Sequence, residues 1–305
     1  MRGLYLGCFM GLAGFALAHA SGDDVFPEND LLNDTVMSES ACAAKGNAVW
    51  IEIAGRGDCI RYYHSNLAGA EGAVAYIRGD RLFKDKPINY TDNAAKAQQA
   101  FVEAAASELN YPVIFVARPG TYGSSGDHRR RRELREAQLL DEALRKIQER
   151  HHLKQVALAA QSGGASMAAY VVTRRPDIEC VALTGASLSM AAIQNAIDDG
   201  TALAQYMNPM FYDPVRHVSE IDANERRRIF VIYDKQDRFV PEVNQKAYAD
   251  AVREAGHQVW LVEGQAVGSA NHTLDRTGRH VAAWCARGVP TDVILDRIKR
   301  GEITG

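Results

Sequence analysis

The stretch QVALAAQSGGASMAAYVV, residues 155–172, decides how the rest of the chain is read. After Gln155 it begins with an apolar run suited to a strand buried on both faces. It ends in an apolar helical run that stops before Arg175-Pro176. Between the two lies Ala160-Gln161-Ser162-Gly163-Gly164. A chain that turns from strand to helix at one residue strains that residue and needs small neighbours. The turn exposes a hydroxyl at a helix N-terminus, where the helix dipole and the Gly163 amide can stabilise negative charge developing beside Ser162. The bland alternative is a glycine-rich turn that merely starts a helix.

Outward from this stretch the sequence alternates strand-like and helix-like pieces without a linker or repeat. Val49 to Ala54 and Cys59 to Tyr63 read as a hairpin around Gly55-Arg56-Gly57-Asp58, and Ala73 to Ile77 as a third strand. A helical stripe from Ala94 to Leu109 precedes a buried strand at Pro112 to Ala117. A second stripe, Leu134 to Ile147, precedes the strand at 155–160. Cys180 to Thr184, Ile229 to Tyr233 and Gln258 to Val262 continue as strands, with helices at Glu242 to Ala255 and after Thr277. Helices alternating with continuous apolar strands predict a largely parallel sheet of about eight strands, covered on both faces and led by an antiparallel hairpin. In such sheets ligands bind beyond the carboxyl ends of the strands.

A nucleophilic serine needs a base and a group to orient that base. RIFVIYDKQDRFVP, residues 228–241, places Asp237 just beyond a strand. GQAVGSANHTL, residues 264–274, places His272 after the last strand and before the final helix. The order Ser, Asp, His along the chain is that of the α/β hydrolases. From about residue 48 to 288 the chain resembles an α/β-hydrolase fold serine hydrolase, of the esterase and prolyl-peptidase-like kind. The resemblance implies Ser162 as nucleophile, Asp237 as acid and His272 as base. Asp234 is the rival acid, but the family's acid stands three residues before a Val-Pro, as Asp237 does. His257 precedes a strand and His280 lies within a helix. The resemblance also implies an oxyanion hole made by the Gly163 amide and an amide of the loop after the third strand, from Asp80 or Arg81. It implies a small cap after the sixth strand, about 187–228, and calls for neither metal nor organic cofactor.

The cap segment contains Met190, Tyr206, Met207, Met210, Phe211 and Tyr212, adaptable apolar residues that could line an acyl pocket or simply pack on the core. Of these, Met207, Met210 and Phe211 are candidate substrate contacts, with Tyr122 in the loop after the fourth strand. Four successive arginines, 129–132, follow that loop and oppose the dipole of the helix they precede. Arg130 and Arg131 could capture an acidic substrate group, or could form a solvated face paired with Glu133 and Glu136. Two Arg-Gly-Asp tripeptides, at 56–58 and 78–80, also admit an adhesion reading, though each has a structural place in a turn or loop.

The start, MRGLYLGCFMGLAGFALAHA, has a basic residue, a short apolar core and Ala18-His19-Ala20 as a small-x-small cleavage site. It reads as an export signal at 1–20, followed by an extension at 21–47 and one hydrolase domain at 48–305. Cys8 lies too early in the apolar stretch for lipidation. Cys42, Cys59, Cys180 and Cys285 remain, an even set in a chain bound for an oxidising compartment, periplasmic or extracellular. Cys42 and Cys59 flank the first strand, whereas Cys180 opens a strand and Cys285 closes the last helix, so the pairs 42–59 and 180–285 are favoured. No cysteine spacing suits a zinc site. With 35 basic and 38 acidic residues the net charge is -3, so no global positive field draws nucleic acid. The apolar stretch is too short to span a bilayer. These features predict a small-molecule acyl substrate, with an ester favoured over a short peptide and a non-catalytic binding role third. They leave the oligomeric state open.

Overall fold

The middle strands are continuous apolar runs because helices cover both of their faces. The computed structural model describes residues 25–83, 85–192 and 209–305. The antiparallel pair β1 (Ala48–Ile53) and β2 (Arg56–His64) comes first. After it come β3 (Gly72–Ile77), β4 (Val113–Val116), β5 (Gln155–Gln161), β6 (Cys180–Thr184), β7 (Arg228–Tyr233) and β8 (Val259–Glu263). They form one eight-stranded sheet in the order β1-β2-β4-β3-β5-β6-β7-β8. β2 pairs antiparallel with β4, and every pairing from β4 to β8 is parallel. The order departs from sequence only where β4 lies between β2 and β3, so β3 and β5 are direct neighbours. That adjacency sets the loop after β3 against Ser162.

The β1–β2 connection is tighter than the sequence suggests. Ile53 pairs with Arg56, so Ala54 and Gly55 alone make the turn, both with positive φ (51° and 74°). Two left-handed residues give a turn whose twist matches the strands it joins. Arg56-Gly57-Asp58 is therefore part of β2, not of the turn, and the Asp58 side chain is buried.

The helices α1 (Ala95–Leu109), α5 (Asp275–Ala286) and α6 (Thr291–Lys299) pack on one face, and α2 (Leu134–Arg150), α3 (Gly163–Arg174) and α4 (Glu242–Glu254) on the other. Helix α6 goes beyond the sequence reading, which ends on the helix near Cys285. Pro290 starts it, and Ile294 and Ile298 bury its apolar side. A short hairpin, Leu82–Phe83 with Lys86–Pro87, also escapes the sequence reading, because two-residue strands carry no periodicity. Two disulfides close, Cys42–Cys59 and Cys180–Cys285, with Cα separations of 5.5 and 5.7 Å. The second ties the start of β6 to the end of α5, at the end of the sheet away from Ser162. Among the described residues no helix is long and apolar enough to cross a membrane.

Candidate active site

Ser162 stands between β5 and α3 with φ 54° and ψ -127°, a conformation that costs a side-chain-bearing residue energy. Close packing holds it there. Its amide donates to the Thr184 carbonyl at 2.8 Å. A Cβ on Gly164 would lie 2.3 Å from the Arg78 carbonyl oxygen and 2.7 Å from that of Ile77. One on Gly163 would lie 2.1 Å from Asp80 Oδ1 and 2.6 Å from Arg132 Nε. The two glycines after Ser162 therefore let the loop after β3 close against the helix start. At that start the Gly163 amide has no intrahelical acceptor.

Asp237 lies in the loop after β7, its carboxylate almost wholly buried. Oδ1 accepts from the amides of Phe239 and Val240 at 2.8 and 3.0 Å, and Oδ2 accepts from His272 Nδ1 at 2.8 Å. The ring of Phe239 meets the imidazole edge-on at 5.2 Å between centroids. These contacts fix one orientation of His272, with Nδ1 turned to the acid. The rival acid serves a different purpose. Asp234 accepts from the amides of Gln236 (2.7 Å) and Ala266 (2.8 Å) and so joins the two loops that bear Asp237 and His272. Ser162 and His272 line one cleft, and no hydrogen bond joins them among the described residues. Such bonds often tighten only when substrate binds.

Gln161, immediately before Ser162, is not among the residues that the sequence singles out. Its Nε2 donates to the His272 carbonyl at 2.8 Å, while its Oε1 accepts from Leu274 N (3.1 Å) and Thr184 Oγ1 (2.7 Å). One buried amide thus ties the serine turn to the histidine loop. A polar residue ending an otherwise apolar buried strand was the available signal.

On the other side of Ser162, the loop after β3 rests on buried ion pairs. Arg118 makes a two-pronged contact with Glu136 (both bonds 2.8 Å) and reaches Asp80 Oδ1 at 2.7 Å. Arg132 also bonds Asp80, and Arg131 lies 3.4 Å from it. Burial alone would raise the Asp80 pKa, but Arg132, Arg118 and Arg131 outweigh it and hold the carboxyl well below its usual range. Burial, reinforced by Arg118, drives the His128 pKa well down and keeps that ring neutral. Its Nε2 accepts the Arg81 amide at 3.0 Å. That occupied amide corrects one of the two oxyanion candidates. The Asp80 amide, which donates to no acceptor among the described residues, is the available one.

The cleft encloses about 460 Å³. Ser162, His272, Gly79 and Gln161 stand along it, with an apolar wall of Leu82, Phe83, Ile88, Met190, Phe239 and Val240. Arg81 and Arg132 supply its basic side. Most proposed substrate contacts lie elsewhere. Tyr122, 2% exposed, is a core residue whose ring packs on Phe115 and Tyr90. Met210 is 62% exposed and lines no part of the cleft. Phe211 stacks under Arg132, outside the lining. Arg130 points to solvent and pairs with Glu133, and Arg131 turns inward to Asp80. Neither lines the cleft. Consecutive arginines on an irregular segment point in different directions, so the basic run is not one face. Met207 falls outside the described residues. Among the described residues no cluster of three or more His, Cys, Asp or Glu could hold a metal ion.

No protein-family model and no curated protein matches the chain. Solved structures do. An acylaminoacyl peptidase of Pyrococcus horikoshii superposes with a TM-score of 0.52 at 12% identity, over 83% of this chain and 41% of that one. An esterase of Pyrococcus furiosus gives 0.51 at 14% identity, over 82% of this chain and 89% of that one. The present chain thus spans well under half the length of the peptidase. Strand order, the strained serine turn and these likenesses define the fold as that of the α/β hydrolases.

Proposed function

We propose that the protein is an exported serine hydrolase that cleaves carboxylic esters through an acyl-enzyme on Ser162. The observation that carries this reading is the strained Ser162 turn on one cleft with a His272 already bonded to a buried Asp237. In the mechanism His272 takes the Ser162 proton as Oγ attacks the ester carbonyl, and Asp237 stabilises the imidazolium. The amides of Gly163 and Asp80 hold the oxyanion, each worth about 3 kcal/mol in the transition state. The alkoxide leaves with the proton from His272, water repeats the sequence, and the acid departs. No step calls for a metal or organic cofactor.

Residues 1–20 would be the export signal, 21–47 an extension and 48–305 the hydrolase domain, with a small cap segment at about 187–228, of which Ser187 and Met190 line the cleft. The two disulfides support an oxidising destination, periplasmic or extracellular. The likeness to an acylaminoacyl peptidase favours a second reading, cleavage of short peptides.

Labelling of the mature protein by a fluorophosphonate probe tests the proposal, with Ser162→Ala as control. Labelling lost in the variant supports it, and a folded wild-type protein that stays unlabelled favours a binding role on a hydrolase fold. A panel of short acyl nitrophenyl esters beside aminoacyl nitroanilides then separates esterase from peptidase.

A further inference from the structure

Arg81 and Arg132 line the cleft with two carboxylates, Asp80 and Asp275, and Asp275 is already paired with Arg279 at 2.7 Å, so that the arginines in and beneath the cleft outnumber its carboxylates. Beneath the loop after β3, three guanidiniums, of Arg118, Arg131 and Arg132, share two carboxylates, those of Asp80 and Glu136. Arg81 adds a fourth guanidinium. Its side chain donates to the Asn89 carbonyl at 2.9 Å, it forms no ion pair among the described residues, and its Nε is buried without an acceptor. Buried donors of this kind are costly unless something pairs them. Arg132 is held at φ 62°, with its amide on Glu136 and its carbonyl accepting from Tyr212 N at 2.7 Å. That strained backbone places its guanidinium against Gly163, beside Ser162. Ser187 presents a second unpaired buried polar atom on the same cleft, its Oγ. An apolar wall of Leu82, Phe83 and Ile88 continues directly from Arg81.

We propose that the cleft takes a monoester of a short dicarboxylic acid: Arg81 and Arg132 bind the free carboxylate, and the apolar wall packs the chain between it and the scissile carbonyl. Hydrolysis then consumes one water and yields the dicarboxylate and an alcohol. This inference rests on the serine-hydrolase reading of the same cleft. It also moves acid capture from Arg130 and Arg131, where the sequence suggests it, to the two arginines that reach the cleft. A guanidinium aimed only at the oxyanion would favour charged and neutral acyl groups alike, so the two roles separate by experiment.

Mono-4-nitrophenyl glutarate and 4-nitrophenyl pentanoate have acyl chains of equal length and differ in the terminal carboxylate. The wild-type kcat/KM should favour the glutarate ester about tenfold, the size of one charge-assisted contact, and the preference should shrink as salt rises. Arg81→Gln or Arg132→Met should lower the ratio of the two values about tenfold. Equal values for the two esters in wild-type protein, or equal losses on both in an arginine variant that still takes the fluorophosphonate label, would overturn the inference. Calorimetry with Ser162→Ala protein and monomethyl glutarate needs no catalysis. Binding lost on adding Arg81→Gln supports the carboxylate site even if Ser162 proves unreactive, and no binding to the folded protein contradicts it.

Discussion

Two walls meet at Ser162 and are built by opposite means. The wall bearing Asp237 and His272 is held by neutral or singly charged hydrogen bonds: backbone amides on Asp237 and Asp234, and the Gln161 amide on the histidine loop. The wall formed by the loop after β3 is held by a buried network of arginines and carboxylates. The first sets a single carboxylate, Asp237, against His272 and fixes that carboxylate with backbone amides. The second gathers charge: Asp80 faces the guanidiniums of Arg118, Arg131 and Arg132, and Glu136 takes Arg118 in a two-pronged contact together with the Arg132 amide. Removing a member of such a network leaves a buried charge without a partner, whereas removing one neutral bond costs far less.

Variants can break this contrast. The largest stability loss is expected on the ionic side. Glu136→Gln leaves Arg118 undercompensated and should lower unfolding stability by about 3 to 5 kcal/mol, measured by denaturant melts. Adding Arg118→Met should recover part of that loss. A smaller change in stability with a larger one in activity is expected on the other side. Gln161→Leu should cut kcat about 100-fold while leaving KM and the melting midpoint less affected, because the histidine loop loses its tether to the serine turn.

Away from both walls, the Cys180–Cys285 bond offers a control. Replacing the pair by alanine should cost about 2 to 4 kcal/mol without changing kcat at temperatures where the protein stays folded. The smallest effect concerns pH. Burial lifts the Asp141 carboxyl to about 6, and its Oδ1 has no partner among the described residues. A folded-state pKa above the unfolded value gives stability that is present below about pH 4 and lost as pH rises through 6. Wild-type protein should therefore be roughly 2 kcal/mol more stable at pH 4 than at pH 7 relative to Asp141→Asn, read from melts of both proteins. Asp80, shifted the opposite way, contributes stability that is lost only in stronger acid.

The contrast between the walls also explains what the sequence could tell. The strand–serine–glycine–helix passage, the alternating elements and the order Ser162, Asp237, His272 are local or sequential patterns, and the α/β-hydrolase fold was legible from them. The ionic wall was not. Arg118, Asp80, Glu136 and Arg132 lie far apart in the chain or on an irregular segment, and nothing local says which arginine of a basic run turns inward. Tyr122 looks like a pocket residue for the same reason, since loop position does not reveal that its ring fills the core. Gln161 is adjacent to the key residue, but its partners lie more than twenty residues away in the chain, at the end of β6 and in the histidine loop.

The central claim is that Ser162 becomes acylated. Brief incubation with 4-nitrophenyl pentanoate, acid quench and mass analysis of the proteolytic peptide carrying residue 162 tests it most directly. We predict a pentanoyl adduct on Ser162 in wild-type protein, absent in Ser162→Ala and strongly slowed in His272→Ala. Turnover of the ester by wild-type protein with no adduct on that peptide, or turnover undiminished in Ser162→Ala, would contradict the account.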